Sequence, residues 1–133
     1  MKPIEDAVAA VLTRYEDALN ASDTSAVMPL YDKDAVFMPQ HSQSAVGTAA
    51  VRDAYDAVFR AIRLSVKFKV AEIVVMSSDW AFARTNSEGT VTVHATGQTS
   101  AEGNQELFIF RKGSDGTWKI ARYCFCTTNP PPQ

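Results

Sequence analysis

The sequence has little net charge and no long apolar segment, and each shortage excludes a class of function. Its 13 Lys and Arg against 15 Asp and Glu give a formal net charge of −2, without a long block of either sign. Because nucleic-acid binding needs a concentrated basic surface, we expect no nucleic-acid partner. No apolar run approaches the roughly 20 residues that cross a bilayer, and acidic residues interrupt the N-terminal apolar pattern. The sequence therefore predicts a soluble, cytoplasmic protein without a membrane partner.

Cysteine and histidine are scarce, with two of each in the chain. Cys124 and Cys126 lie two residues apart on a predicted strand, so two rises of ~3.3 Å separate them, more than a disulfide permits. His41 and His94 are far apart in the chain and have no carboxylate at ligand spacing, which predicts no metal site. The sequence contains no dinucleotide-binding glycine motif, P-loop or nucleophile elbow, and we expect no cofactor.

Apolar residues recur at helical spacing in three segments of the first half. The first predicted helix runs from about Pro3 to Asn20, with a proline in the first turn, where it is tolerated. A short second helix can begin after Ser22 or Asp23 as its N-cap. The third, "VGTAAVRDAYDAVFRAI", can be capped by Thr48.

After Leu64 the pattern changes to the alternation typical of strands. The predicted strands are "VKFKVAEIVV", "WAFARTN", "GTVTVHAT", "NQELFIFRK" and "TWKIARYCFCTT", preceded by the short strand "DAVFMP". Helices followed by a meander of strands predict an α+β fold, with three N-terminal helices packed in a curved antiparallel sheet. We expect a single domain at residues 1–128 and a flexible tail at 129–133, where "NPPPQ" cannot join a ladder.

Four segments carry a resemblance to a known family. They are "RYEDALNASD", "DAVFMP", "GTAAVRDAY" and the closing "ELFIFRKGSDGTWKIARYCF". In this combination the chain resembles, over nearly its whole length, the ketosteroid isomerase and SnoaL-like group of the nuclear-transport-factor-two-like superfamily. The resemblance implies a cone-shaped α+β barrel, an apolar pocket open at one end, and a homodimer through the outer face of the sheet.

The resemblance also implies roles for particular residues. Tyr15 occupies the place of a helix tyrosine that donates a hydrogen bond to the substrate oxyanion. Glu106 occupies the place of a protonated acid that is the second donor. The general base of the isomerases is an aspartate immediately before the proline of the short strand, where this chain has Met38. Because a thioether cannot abstract a proton, the isomerase reaction is not expected by that route.

Strand alternation gives a second view of these side chains. Glu106 shares a face with Phe108, so its carboxyl either reaches solvent at the strand end or is buried and paired. Arg84 shares a face with Phe82 and Asn86, the face that the family turns inward. A buried arginine needs a carboxylate partner such as Glu106, or an anionic ligand. The alternative is that Arg84 is exposed at a strand end.

The remaining candidates are a general base and the residues that line the pocket. We predict His41 as the base, because imidazole takes up a proton near neutral pH, although a solvated loop histidine is the alternative. Tyr15 could likewise be a core tyrosine whose hydroxyl finds an internal partner. The predicted wall residues are Met38, Tyr55, Trp80, Phe82, Asn86, Phe108, Tyr123 and Phe125.

Together these features predict a pocket for a small, largely apolar molecule with one carbonyl, hydroxyl or carboxylate. If the protein is an enzyme, proton transfer such as isomerisation, cyclisation or dehydration is expected, with Tyr15, Glu106, His41 and Arg84 as catalytic residues. The alternative is a non-catalytic ligand-binding or dimerisation module of the same fold. Outward-facing residues of the last two strands, such as Leu107 and Ile120, are expected to form the homodimer interface.

Overall fold

A computed structural model describes residues 2–131 of the chain, and it confirms the predicted α+β fold. The helices are α1 (Lys2–Asn20), α2 (Thr24–Val27) and α3 (Thr48–Ala61), with a 3-10 turn at Met28–Leu30 between α2 and the sheet. The strands are β1 (Tyr31–Met38), β2 (Ala45–Val46), β3 (Ile62–Val75), β4 (Trp80–Val93), β5 (Thr99–Lys112) and β6 (Trp118–Thr127). The sheet is curled but not closed, and α1 and α3 pack against it.

Helix α1 forms as its apolar spacing predicts and buries one stripe against the sheet. The buried residues of the stripe are Val8, Val11, Leu12, Tyr15, Ala18 and Leu19. At the end of the helix, Asn20 donates through Nδ2 to Val66 O at 2.8 Å and accepts from Val66 N at 2.9 Å. These two bonds hold the end of α1 to β3, so the position of Tyr15 relative to the sheet is determined by both packing and polar contacts.

The starts of the two shorter helices differ in how they are capped. Asp23, one of the two predicted candidates, is the N-cap of α2. Its side chain accepts a hydrogen bond from Ala26 N at 3.1 Å. The prediction that Thr48 caps α3 is wrong, because Gly47 is the N-cap and Thr48 is the first helical residue. Gly47 has φ 87°, a conformation that glycine adopts without steric cost, while the Thr48 hydroxyl donates to Lys33 O.

The sheet order is β2-β1-β6-β5-β4-β3. The sequence predicted that all neighbouring strands are antiparallel, and this is wrong for one pair. Strand β1 runs parallel to β6. These two strands are distant in sequence and no hairpin joins them, so no turn imposes the antiparallel direction. Phe37 is buried and Met38 is half-buried on the opposite face, and β1 ends before Pro39, as expected for a residue without an N–H to donate.

Strand β4 is one continuous strand, whereas the sequence predicted two strands in this region. Its 14 residues pair with β3 on one side and with β5 on the other. Gly89, the first residue of the second predicted strand, allows close approach to β3, because a Cβ there would lie 2.0 Å from Ser65 O. Its buried side chains, Ala81, Ala83, Thr85 and Ser87, all lie in the first part of the strand.

A register shift between β5 and β6 decides which residues of β6 face the core. Phe110 pairs with Ile120 and Ile109 pairs with Arg122, so Ala121 is an extra residue between the two pairs. Ile120 is consequently fully buried, and the prediction that it lies on the outer face is wrong. Beyond the shift, Tyr123 faces the core and Arg122 is exposed.

The predicted tail begins with a residue that is bonded to the sheet. Asn129 donates through its backbone N–H to Thr127 Oγ1, so the first residue of the predicted tail is still held to the sheet. Pro132 and Gln133, also in the predicted tail, lie outside the described residues. Among residues 2–131, no helix has the length and apolar character needed to cross a membrane.

Candidate functional site

A cavity of about 240 Å³ opens between α1, α3 and the curled sheet. Its apolar wall consists of Leu19, Phe37, Val58, Ile62, Leu64, Val66, Phe68 and Phe125. Its polar wall consists of Tyr15, Gln40, Tyr55, Ser87, Glu102, Asn104, Glu106 and Tyr123. An apolar cavity with a few converging polar groups is the usual form of a small-molecule site.

The four tyrosines of the chain form a buried cluster at this cavity, contributed by α1, β1, α3 and β6. The hydroxyl oxygens of Tyr15 and Tyr55 are 2.7 Å apart, and those of Tyr31 and Tyr55 are 2.5 Å apart. Tyr123 completes the cluster with its ring edge-on to that of Tyr15, at 5.6 Å between centroids. Burial raises the pKa of all four phenols well above its ordinary value, so each hydroxyl keeps its proton.

Glu106 is a carboxylic acid that the fold buries beside this cluster, with 4% of its surface exposed. Its Oε1 accepts from Thr85 Oγ1 at 2.5 Å and its Oε2 accepts from Ser87 Oγ at 2.6 Å. Burial raises the pKa of Glu106 because it disfavours the charged form, and the two hydroxyl donors offset part of that effect. A carboxyl group in this state can hold a proton and donate it to a bound oxygen.

Two further polar residues of the wall precede Glu106 on the same face of β5. Asn104 Nδ2 donates to Glu102 Oε2 at 2.9 Å. Sequence reasoning missed both residues, although the alternation that assigned Glu106 and Phe108 to one face also assigns Asn104 and Glu102 to it. Their spacing was the signal that could have identified them.

The structure brings together five of the residues predicted from the sequence. Tyr15, Tyr55, Glu106, Tyr123 and Phe125 all line the cavity. Another predicted wall residue, Phe108, is fully buried behind this set and stacks on the Tyr123 ring at 4.1 Å between centroids.

The predicted inward orientation of Arg84, Phe82 and Asn86 is wrong. Alternate residues of β4, including Thr85, are buried, so Arg84 lies on the opposite face of the sheet. Arg84 Nε is 2.9 Å from Glu72 Oε2 on neighbouring β3, and both side chains are largely exposed. The charge of Arg84 is therefore paired outside the pocket rather than with Glu106, whose partners are neutral hydroxyls.

Three other predicted residues also lie away from the cavity wall. Phe37 lines the cavity, and strand alternation directs the side chain of its neighbour Met38 to the opposite face of the sheet. Trp80 is 39% exposed, with the Arg111 guanidinium 5.9 Å from its ring centroid. His41 is exposed in a turn with φ 61°. Its neighbour Gln40 reaches the cavity instead.

No three His, Cys, Asp or Glu side chains gather to hold a metal ion within residues 2–131. The candidate site thus consists of hydrogen-bonding groups of this chain: phenol hydroxyls, one buried carboxyl and an amide-carboxylate pair. Such groups can bind an oxygen-bearing ligand and exchange protons with it.

Comparison with known proteins places this geometry in a family. The SnoaL-like domain family matches residues 12–123. A ketosteroid isomerase-like protein from Erwinia carotovora atroseptica is 36% identical, with 94% of this chain and 96% of that chain covered and a TM-score of 0.91. No curated protein has a matching sequence.

Two more distant solved structures share the fold. A conserved protein from Planctomyces limnophilus is 22% identical, with 96% of this chain and 99% of that chain covered and a TM-score of 0.83. A nuclear transport factor 2-like superfamily protein from Salmonella enterica is 14% identical, with 98% and 95% covered and a TM-score of 0.85. At these identities the similarity establishes the architecture and not the activity.

Proposed function

This chain belongs to the SnoaL-like domain family, and we propose that its cavity binds a small, largely apolar molecule bearing a carbonyl, hydroxyl or carboxylate group. The observation that carries the proposal is the burial of the Glu106 carboxyl beside the tyrosine cluster, on the wall of an otherwise apolar cavity. Buried polar groups cost stability unless they are paired, so their convergence on a cavity supports a binding role.

Tyr15 and Glu106 are the proposed hydrogen-bond donors to the ligand oxygen. A chain in which Tyr31 donates to Tyr55 and Tyr55 donates to Tyr15 leaves the Tyr15 proton for the ligand. Glu106 in its protonated form supplies a second proton, which its raised pKa favours. Two donors held in a low-dielectric site stabilise negative charge that develops on a carbonyl oxygen.

The reaction class that this arrangement supports is cofactor-free proton transfer, such as isomerisation, cyclisation or dehydration. The base predicted from the sequence, His41, is exposed, and the predicted anion partner Arg84 faces away from the cavity. Glu102 is a second carboxylate on the cavity wall and is half-buried. It lies four residues from Glu106 on the same face, or roughly 13 Å along the strand, which is too far to take a proton beside a carbonyl held at Glu106.

A non-catalytic ligand-binding or dimerisation module is the second candidate. It is favoured by the cavity face of β1, where Phe37 occupies the wall and no carboxylate precedes Pro39. Under this reading the tyrosines and Glu106 hold a ligand oxygen without transferring a proton.

One pair of experiments tests binding and catalysis separately. Binding of 2-naphthol should raise the melting temperature, and naphthalene, which lacks the oxygen, should raise it less. Tyr15→Phe and Glu106→Leu should each reduce the difference between the two compounds, with His41→Ala as the matched control without effect. Equal shifts for both compounds in the wild type would contradict the assigned donors.

Catalysis is tested with 3-cyclohexen-1-one in deuterated buffer. Conversion to the conjugated 2-cyclohexen-1-one, with deuterium incorporated, should be detected by NMR and should be reduced in Tyr15→Phe and Glu106→Leu, which remove the proposed donors. Binding without any exchange would favour the non-catalytic candidate.

We also propose that the protein is a cytoplasmic homodimer formed through the outer face of the sheet. Leu107 is 38% exposed on this face, close to the half-buried Phe82 and Cys124. A two-fold interface there would bury roughly 1,200–2,000 Å² in total. Light scattering at micromolar concentration should give the dimer mass, and Leu107→Glu should give the monomer mass. A monomeric wild type would refute this part of the proposal.

A further inference from the structure

Asn104 lines the cavity, and its Oδ1 is a buried polar atom that the protein leaves unsatisfied. The residue is 92% buried, and its Oδ1 has no hydrogen-bond partner within residues 2–131. The amide orientation follows from its neighbour, because Glu102 Oε2 accepts a bond and so selects the Nδ2 side of the amide. Oδ1 is therefore the atom that remains available.

The adjacent hydroxyl cannot satisfy this oxygen. Ser87 lies directly opposite Asn104 in the pairing of β4 with β5. A serine hydroxyl carries one proton, and that of Ser87 is donated to Glu106 Oε2 at 2.6 Å. Because Asn104 lines the cavity, a molecule bound there can supply the donor that Oδ1 lacks.

We propose that Asn104 Oδ1 accepts a hydrogen bond from an O–H or N–H group of the ligand. This inference rests on the proposed function and extends it, because it makes the ligand bifunctional. One oxygen binds at Tyr15 and Glu106, and a separate donor group binds at Asn104. The two residues of β5 are two rises apart on one face, roughly 7 Å, so the ligand's polar groups lie at opposite ends of about one ring.

The chemical class that fits is a hydroxylated or amino-substituted cyclic carbonyl compound. The carbonyl oxygen meets the two donors, and the ring lies against the apolar wall formed by residues such as Phe37 and Phe68. A ligand without the second group leaves a buried carbonyl unpaired, and sites of this kind discriminate strongly against such analogues.

The test compares 4-hydroxyacetophenone with acetophenone and 4-methoxyacetophenone by isothermal titration. The wild type should bind the hydroxylated ketone about five- to tenfold more tightly than either analogue. In Asn104→Leu, which removes the acceptor at similar size, the preference for the hydroxylated ketone over either analogue should be lost. Equal affinities in the wild type, or a hydroxyl preference that survives in Asn104→Leu, would overturn the inference.

Two further measurements separate this inference from the function on which it rests. Suppose that acetophenone binding weakens in Tyr15→Phe but the wild type does not prefer the hydroxylated ketone. This result would support the proposed function and refute the role of Asn104. Failure of all three ketones to bind would refute both. If Asn104→Leu does not fold, the side-chain amide signals of Asn104 in the wild-type NMR spectrum should shift with the hydroxylated ketone and not with the methoxy ketone.

Discussion

Tyr55→Phe is the substitution that most directly tests the tyrosine cluster. Its hydroxyl is the central member, 2.7 Å from that of Tyr15 and 2.5 Å from that of Tyr31. Tyr15 lines the cavity, so water can replace the lost partner there. Tyr31 is buried and is not part of the cavity wall, so its hydroxyl is left without the partner and without access to water.

The magnitude follows from this asymmetry. Loss of the bond to Tyr15 costs ~0.5–1.5 kcal/mol of unfolding free energy, and leaving the Tyr31 hydroxyl unsatisfied costs ~1–3 kcal/mol. We therefore expect Tyr55→Phe to lower the free energy of unfolding by about 1.5–4.5 kcal/mol. Tyr31→Phe is the matched control, because Tyr55 then keeps its bond to Tyr15, and about 0.5–1.5 kcal/mol should be lost.

Urea unfolding monitored by circular dichroism measures both values, provided that the slope with denaturant is the same for each variant. The ketone titrations add a functional readout, since Tyr55→Phe should weaken acetophenone binding by removing the donor to Tyr15. A Tyr55→Phe variant that is no less stable than Tyr31→Phe would refute the view that Tyr55 is the shared partner of two buried hydroxyls.

The remaining predictions concern a close contact, a titrating group and an exposed ion pair. Gly89→Ala should destabilise more than Gly97→Ala in thermal unfolding, because both have positive φ but a Cβ meets a neighbouring backbone oxygen only at Gly89. Since burial raises the pKa of Glu106, the folded state binds its proton more tightly than the unfolded state. Stability from this group is full below pH 4.5, its ordinary pKa, and is lost as pH rises through the folded pKa, a dependence that Glu106→Gln should remove. Arg84→Ala should change the unfolding free energy by less than ~1 kcal/mol and leave 2-naphthol affinity unchanged. Weaker binding of 2-naphthol would contradict the placement of Arg84 outside the site.

The local patterns of the sequence were sufficient for the elements that carry the main site residues. Helix α1 follows from apolar spacing, which also places Tyr15 on its buried stripe. On β5, alternation assigns Glu106 and Phe108 to one face, and the structure buries both. These assignments succeed because period and face are properties of a single element, and because large apolar neighbours determine which face is buried.

The errors occur where the answer depends on a neighbouring element. The alternation in "WAFARTN" is compatible with either face inward, and small buried residues such as Ala81 and Ala83 were outweighed by Phe82 and Arg84. Packing decides this choice, because only small side chains leave room for the aromatic residues of adjacent β5. The extra residue Ala121 in β6 is likewise a property of strand pairing and not of the strand itself.

The sequence by itself thus determined the fold class, the first helix, and the faces of their elements on which Tyr15 and Glu106 lie, since short-range periodicity encodes them. The tertiary structure alone brought four tyrosines from four separate elements into one cluster, directed Arg84 outward, and left the Oδ1 of Asn104, a residue of the cavity wall, without a partner. The physical reason is that hydrogen-bond satisfaction belongs to sets of side chains from distant parts of the chain. Their distances exist only after the sheet has curled around the helices.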